Sequence, residues 1–188
     1  KVILVIGNML KENPFKDYKT VTHAISRLND SIGNARTVVV TLGGEKGHEV
    51  IGDIPIYHFP FVSDEKKIAS YYRAADVYIQ SSRTDNFPTT VLEAFSCGIP
   101  VIGTAVGGIV EQIQDGANGY LVPPHDPEGM AHKIEQILQD QELQKRMSIQ
   151  ARKTAVEHYD IKGQTDAYLA FFSEILDHWK SSHEQTAC

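Results

Sequence analysis

The chain has 188 residues, 41% of them hydrophobic and 22% charged, which suits one globular domain with a sizeable core. Its formal net charge of −6 comes from interspersed acids and bases with no basic run, which argues against a nucleic-acid partner. Cys97 and Cys188 make neither a disulfide framework nor a metal-ligand spacing, so a reducing, cytoplasmic setting is expected. No run reaches the roughly 18 apolar residues of a membrane span, and the opening stretch is too short for a secretory signal.

In chain order, Val2 to Ile6 is a β-branched run closed by Gly7 and predicts a strand; Tyr18 to Leu28 then has helical spacing. Strands are expected at Thr37 to Leu42 and Ile54 to Phe59, a helix near Asp64 to Tyr72, and a strand at Asp76 to Gln80. A helix over Pro88 to Cys97 is closed by Gly98, which can take a left-handed cap, and by Pro100, which cannot continue the ladder. Strands follow at Val101 to Gly103 and Tyr120 to Val122. Asp126 is placed to cap a helix over Pro127 to Gln139, with Pro127 at its first position and Met130, Ile134, Ile137 and Leu138 along its buried stripe. Two helices complete the chain, Glu142 to Glu157 and Gly163 to Trp179. The second carries Tyr168, Leu169, Phe171, Phe172, Ile175, Leu176 and Trp179, a face broad enough to pack against something outside this chain. Alternating strands and helices, with most strands apolar on both faces, predict an α/β fold of three layers around a mostly parallel sheet of about six strands.

The chemistry concentrates in Ser81 to Thr104, read as strand end, loop, helix and next strand, so that its loop falls at the carboxyl edge of a parallel sheet, where such folds bind ligands. With Phe87 near the N-cap and Pro88 as the first helical residue, the free amides of Thr89 and Thr90 and the helix dipole form an anion site. Asp85 precedes the helix and Glu93 lies about one turn inside it, so two carboxylates bracket one anion-binding helix start. That set suits a nucleoside diphosphate sugar: amides for phosphates, carboxylates for ribose and sugar hydroxyls.

Here the sequence resembles the retaining glycosyltransferases of family four, the glycogen-synthase-like group 1 enzymes. Their acid, seven residues, acid frame is matched by Asp85 and Glu93, and the resemblance runs on through EAFSCGIPVIGTAVGGIVEQIQDGANGYLVPPHDPEGMA. The form DNFPTT is nearest to capsule and exopolysaccharide transferases of that family. The resemblance implies a Rossmann-like domain forming the C-terminal half of a GT-B fold, with residues 1–188 as the donor-binding domain and the acceptor domain absent from this chain. It implies that Glu93 holds the ribose, that Asp85 contacts the transferred sugar and helps organise the transition state, and that Asn86, Phe87, Pro88 and Thr89 supply the loop. Asp in place of the family's first Glu is one methylene shorter, which bears on which sugar is held. The family's basic pair on the diphosphate places its Lys at Lys16; counting back five residues gives Lys11 as its partner, whereas counting forward from the strand end gives Asn8, and Lys11 is favoured. Lys lacks the bidentate fork of Arg, so the grip would be looser. The base is expected near Tyr57 to Val62. The donor is expected to be UDP-linked and attacked from the leaving-group face by an acceptor hydroxyl. The absence of an Asp-x-Asp motif and of ligand-spaced His, Cys or Asp points to no cofactor and no metal.

Blander readings stand beside these. An arbitrary acid pair is most often solvated, Lys16 and Lys11 alone are surface lysines, and Gly107 and Gly108 are ordinary turn glycines about as often as ligand-facing ones. The eight histidines form no sequence cluster, Glu111 reads as structural, and Gly43-Gly44 lacks the spacing of a dinucleotide fingerprint. Two rivals remain: an epimerase or phosphorylase of the same architecture, and a non-catalytic nucleotide- or partner-binding module using the apolar last helix. A donor domain alone is expected to be inactive, needing its own acceptor domain. The missing part also leaves room for peripheral membrane association.

Overall fold

The computed structural model describes residues 1–28, 31–32 and 35–184; Cys188 lies outside these. In chain order the elements are β1 (Val2–Ile6), α1 (Tyr18–Ile25), β2 (Ser31–Ile32), β3 (Ala35–Arg36), β4 (Val38–Leu42), β5 (Gly47–Ile51), β6 (Ile54–Phe59), α2 (Glu65–Ala74), β7 (Val77–Gln80), α3 (Thr89–Ser96), β8 (Val101–Thr104), α4 (Ile109–Gln112), β9 (Gly119–Val122), α5 (Pro127–Gln139), α6 (Gln141–His158) and α7 (Ile161–Glu184).

The main sheet has the order β5-β6-β4-β1-β7-β8-β9 and is parallel throughout except for β5, which pairs antiparallel with β6 at one edge. The sheet thus has seven strands where about six were expected. Strand β5 was hidden because its sequence, GHEVI, carries polar and half-exposed residues rather than an apolar run. It is held by a hairpin whose turn contains Gly52 at φ +60°, a left-handed position that Gly fills without a Cβ penalty. The short antiparallel pair β2 and β3 and the single-turn α4 were also not anticipated.

Strand alternation distributes the core to both faces. Ile3 and Val5 of β1, with Val39, Val77, Ile79 and Ile102, pack against α1 and α5. Leu4, Tyr78 and Val101 face the other way onto Tyr72 of α2, Val91, Ala94 and Phe95 of α3, and Ala151 and Ala155 of α6. Punctuation is local. The Asp126 carboxylate accepts from the Gly129 amide at 2.8 Å, with Pro127 at the first helical position, and Met130, Ile134, Ile137 and Leu138 are buried, as the sequence predicts. Helix α3 ends in a Schellman turn: Gly98 at φ +71° donates to the Phe95 carbonyl at 2.9 Å and Ile99 to Ala94 at 2.9 Å. Asp140 separates α5 from α6 and caps the second through the Leu143 amide at 2.9 Å. Helix α7 is longer than expected, and its eight large apolar residues, Ile161 and the seven of the predicted helix, are all exposed. No helix among the described residues is long and apolar enough to cross a membrane.

Candidate functional site

A cavity of about 430 Å³ opens at the carboxyl ends of β1, β4 and β7, lined by Ile6, Gly7, Asn8, Lys16, Leu42, Gly43, Phe61, Val62, Ile68, Asp85, Pro88, Thr89, Thr90 and Glu93. Its position follows from the topology, since successive parallel strands deliver their following loops to one edge.

The helix start is shifted by one residue from the sequence reading. Pro88, with φ −66° and an extended ψ of 121°, is the cap itself, and its carbonyl accepts from the Val91 amide at 3.2 Å, so Thr89 is the first helical residue. Phe87 therefore lies outside the helix. The amides of Thr89 and Thr90 remain at the free end, with the helix dipole behind them.

The two acids are held differently. Asp85 Oδ2 accepts from Lys16 Nζ at 2.9 Å, Gln80 Nε2 at 3.2 Å and Ser82 Oγ at 3.5 Å. Glu93 is exposed at the cavity edge, with Oε2 3.0 Å from the Tyr72 hydroxyl, which also lies 3.1 Å from the Thr90 carbonyl. Burial, then the neighbouring Tyr78 and Glu93, push the Tyr72 phenol well above its usual range, so it stays protonated as a donor.

Lys16 reaches Asp85 because two distant segments are zipped together. The Arg83 amide donates to the Phe15 carbonyl at 2.9 Å, the Asp17 amide to Ser81 at 3.3 Å, and the Ser81 hydroxyl to the Asp17 carbonyl at 2.9 Å. Thr104 locks the same stretch, accepting from the Ser82 amide at 3.0 Å and donating to its carbonyl at 2.7 Å. Behind this zipper the Asp17 carboxylate is buried, 2.6 Å from His125 Nδ1 and accepting from Thr20 Oγ1 at 2.8 Å. Burial alone would raise its pKa; the Thr20 bond and the charge of His125 outweigh that and hold it below the ordinary value.

Lys11 is not brought to the cavity. Its Nζ lies 3.0 Å from Glu49 Oε1 on β5, a carboxylate that also meets His58 Nε2 at 2.8 Å and the Tyr18 hydroxyl at 3.4 Å. The loop after β1 turns back at Met9, φ +49°, and places Asn8 on the cavity wall instead. Asn86 and Phe87 also stand off the cavity, with the Phe87 ring 5.8 Å from that of Tyr159. Of the stretch expected near the base, Phe61 and the adjoining Val62 line the wall.

Gly107 and Gly108 support the acid loop from below. A Cβ on Gly108 would stand 1.9 Å from the Asn86 carbonyl oxygen, and one on Gly107 2.0 Å from that of Asp85, where φ is +48° as well. These glycines admit the backbone of residues 85–86. Tyr72, Gln80 and Ser82 were missed by sequence reasoning. Gln80 alone left a signal, a polar side chain closing the buried run VYIQ. Among the described residues no group of three or more His, Cys, Asp or Glu is arranged to hold a metal ion.

Comparison with known proteins gives the family and the fold. The family model for glycosyl transferases group 1 matches residues 1–154. An N-acetyl-alpha-D-glucosaminyl L-malate synthase of Bacillus anthracis is 34% identical over 116 residues, covering 62% of this chain and 30% of that protein. A D-inositol 3-phosphate glycosyltransferase of Streptomyces bingchenggensis is 32% identical over 150 residues, covering 71% of this chain and 32% of that one. The chain spans about a third of the length of these curated relatives. Three solved structures share its fold. Sucrose-phosphate synthase from Thermosynechococcus elongatus has a TM-score of 0.80 at 21% identity, covering 94% of this chain and 46% of that one. HepE of Anabaena, solved with UDP-glucose, has a TM-score of 0.75 at 17% identity, covering 92% and 48%. The C-terminal domain of a group 1 family protein from Francisella tularensis has a TM-score of 0.70 at 22% identity, covering 86% and 87%.

Proposed function

The chain belongs to the group 1 glycosyl transferases, and from that premise we propose that residues 1–188 are the nucleotide-sugar-binding domain of a retaining enzyme that moves a sugar from a UDP-linked donor to an acceptor hydroxyl. The observation that carries this reading is the convergence, in one cavity at the sheet edge, of a helix start, Lys16 and two carboxylates held at fixed places. The amides of Thr89 and Thr90, with Lys16, offset the charge of the diphosphate and of the leaving group. Glu93, steadied by Tyr72, accepts from the ribose hydroxyls. Phe61 and Val62 supply an apolar wall for the base. Asp85 lies on the sugar side; its negative charge is offset by Lys16, so it accepts from a sugar hydroxyl and is a poor covalent nucleophile. Asn8, and not Lys11, takes the position beside the phosphates. The acceptor is bound by a domain absent from this chain, and the UDP-glucose complex of the HepE neighbour is consistent with a donor of this class.

Binding of this donor needs no metal. Calorimetry on the full-length protein in excess chelator, with UDP, GDP and ADP in parallel, should show UDP binding most tightly. Glu93→Ala should weaken UDP on the order of tenfold, the loss of a charge-assisted hydrogen bond. UDP affinity unchanged by Glu93→Ala would remove the site assignment, and strict dependence on a divalent ion would remove metal independence.

A further inference from the structure

Gln80 closes β7 beneath the cavity and is 1% exposed, yet lines no part of the cavity wall. Its carboxamide uses its whole hydrogen-bonding capacity. Oε1 is 2.6 Å from the Tyr78 hydroxyl and 2.9 Å from Thr90 Oγ1, and Nε2 is 3.0 Å from Ser82 Oγ and 3.2 Å from Asp85 Oδ2. The orientation follows from chemistry. An ionised carboxylate only accepts, so the NH₂ must face Asp85, and both hydroxyls must then donate to the carbonyl oxygen. One buried amide thereby ties the first turn of α3 to the acid loop.

The consequence for Asp85 is asymmetric. Lys16, Gln80 and Ser82 all bond to Oδ2, and among the described residues no hydrogen bond falls on Oδ1. Oδ1 is the oxygen left for a ligand, and the shortness of the Asp side chain makes its direction depend on whatever holds Oδ2. We propose that Gln80 is a positioning residue for the donor sugar: it fixes Asp85 so that Oδ1 meets one hydroxyl of the transferred sugar, and it registers that contact with the helix start that holds the diphosphate. This deepens the reading of Asp85 as the sugar-side acid and rests on it.

The test uses the full-length protein, with UDP compared against UDP-glucose and UDP-N-acetylglucosamine, whichever sugar nucleotide binds more tightly. The readout is the ratio of UDP to sugar-nucleotide Kd, which isolates the sugar contacts. Gln80→Met should remove most of that ratio, a loss on the order of tenfold, while the Kd for UDP moves less than about threefold. Gln80→Glu keeps the acceptor for Tyr78 and Thr90 but sets a second carboxylate against Asp85. Because the terminal phosphate of UDP itself titrates at about pH 6, the variant's ratio is taken relative to that of the parent protein at each pH; this relative ratio should be lost at pH 8 and partly return at pH 5.5, as the facing carboxylates share a proton. A thermal melt on each variant separates misfolding from misplacement, and Gln80→Glu, which preserves size, serves if Gln80→Met does not fold. Gln80→Met retaining the full ratio while Asp85→Asn loses it overturns the role of Gln80 and leaves that of Asp85 standing. Asp85→Asn retaining the full ratio overturns the sugar-side reading of Asp85, and the present inference with it.

Discussion

Two segments meet at the carboxyl edge of the sheet, and they differ in how they are held. Residues 80–93 form strand end, loop and helix start; the side chains of Gln80, Ser82, Asp85 and Glu93 are bonded within the segment or to Lys16, Tyr72 and Tyr78, and its backbone to Phe15, Asp17 and Thr104. Residues 8–16 form a loop whose charged groups are divided: Lys16 is zipped to the first segment, while Lys11 is drawn to the far edge of the sheet by Glu49. A lysine's sequence distance from a motif is thus a poor guide to whether it serves that motif. Its acidic partner decides.

The largest expected effect tests the first half of this contrast. Lys16→Ala should reduce UDP affinity roughly 10- to 100-fold, since it removes the one lysine among the described residues that lines the cavity and leaves Asp85 without its counter-charge. Calorimetry at low and high salt would check it, and a change below threefold would break the contrast. Next comes the support beneath the acid loop. Gly108→Ala should destabilise the fold by about 1–3 kcal/mol, because the added methyl meets backbone rather than a yielding side chain. Urea titration measures this. The smallest effect belongs to the second segment: Lys11→Ala should leave UDP affinity within about twofold, its ion pair with Glu49 being exposed and worth little. A tenfold loss would return Lys11 to the phosphate site and make the pairing with Glu49 a resting state.

Legibility in the sequence follows the same division. The helix capped by Asp126 and the Schellman turn at Gly98 were readable because cap and helix are adjacent in the chain, so local chemistry decides them. The six strands that read as apolar runs were found because most of their residues are buried, on both faces in β7 and β8 and mainly on one in β6. Strand β5 escaped because an edge strand buries little, so its sequence carries no apolar run. At the site, Asp85, Glu93, Thr89 and Thr90 were visible as a motif. The pairing of Lys11 with Glu49, 38 residues away, and that of Tyr72 with Glu93, 21 away, are not encoded in sequence distance; Gln80 was overlooked although its partners are near in the chain, because a polar residue ending a buried strand reads as part of the strand.

Helix α7 carries its apolar residues outward for 24 residues, a rod of about 36 Å at 1.5 Å per residue. The family match ends at residue 154, inside α6 and before this rod begins. The body and the rod therefore have separable fates in the laboratory: a version ending near Asp160 keeps both cores and the whole cavity lining, while the version carrying the rod brings with it the surface most prone to drive clustering at working concentrations.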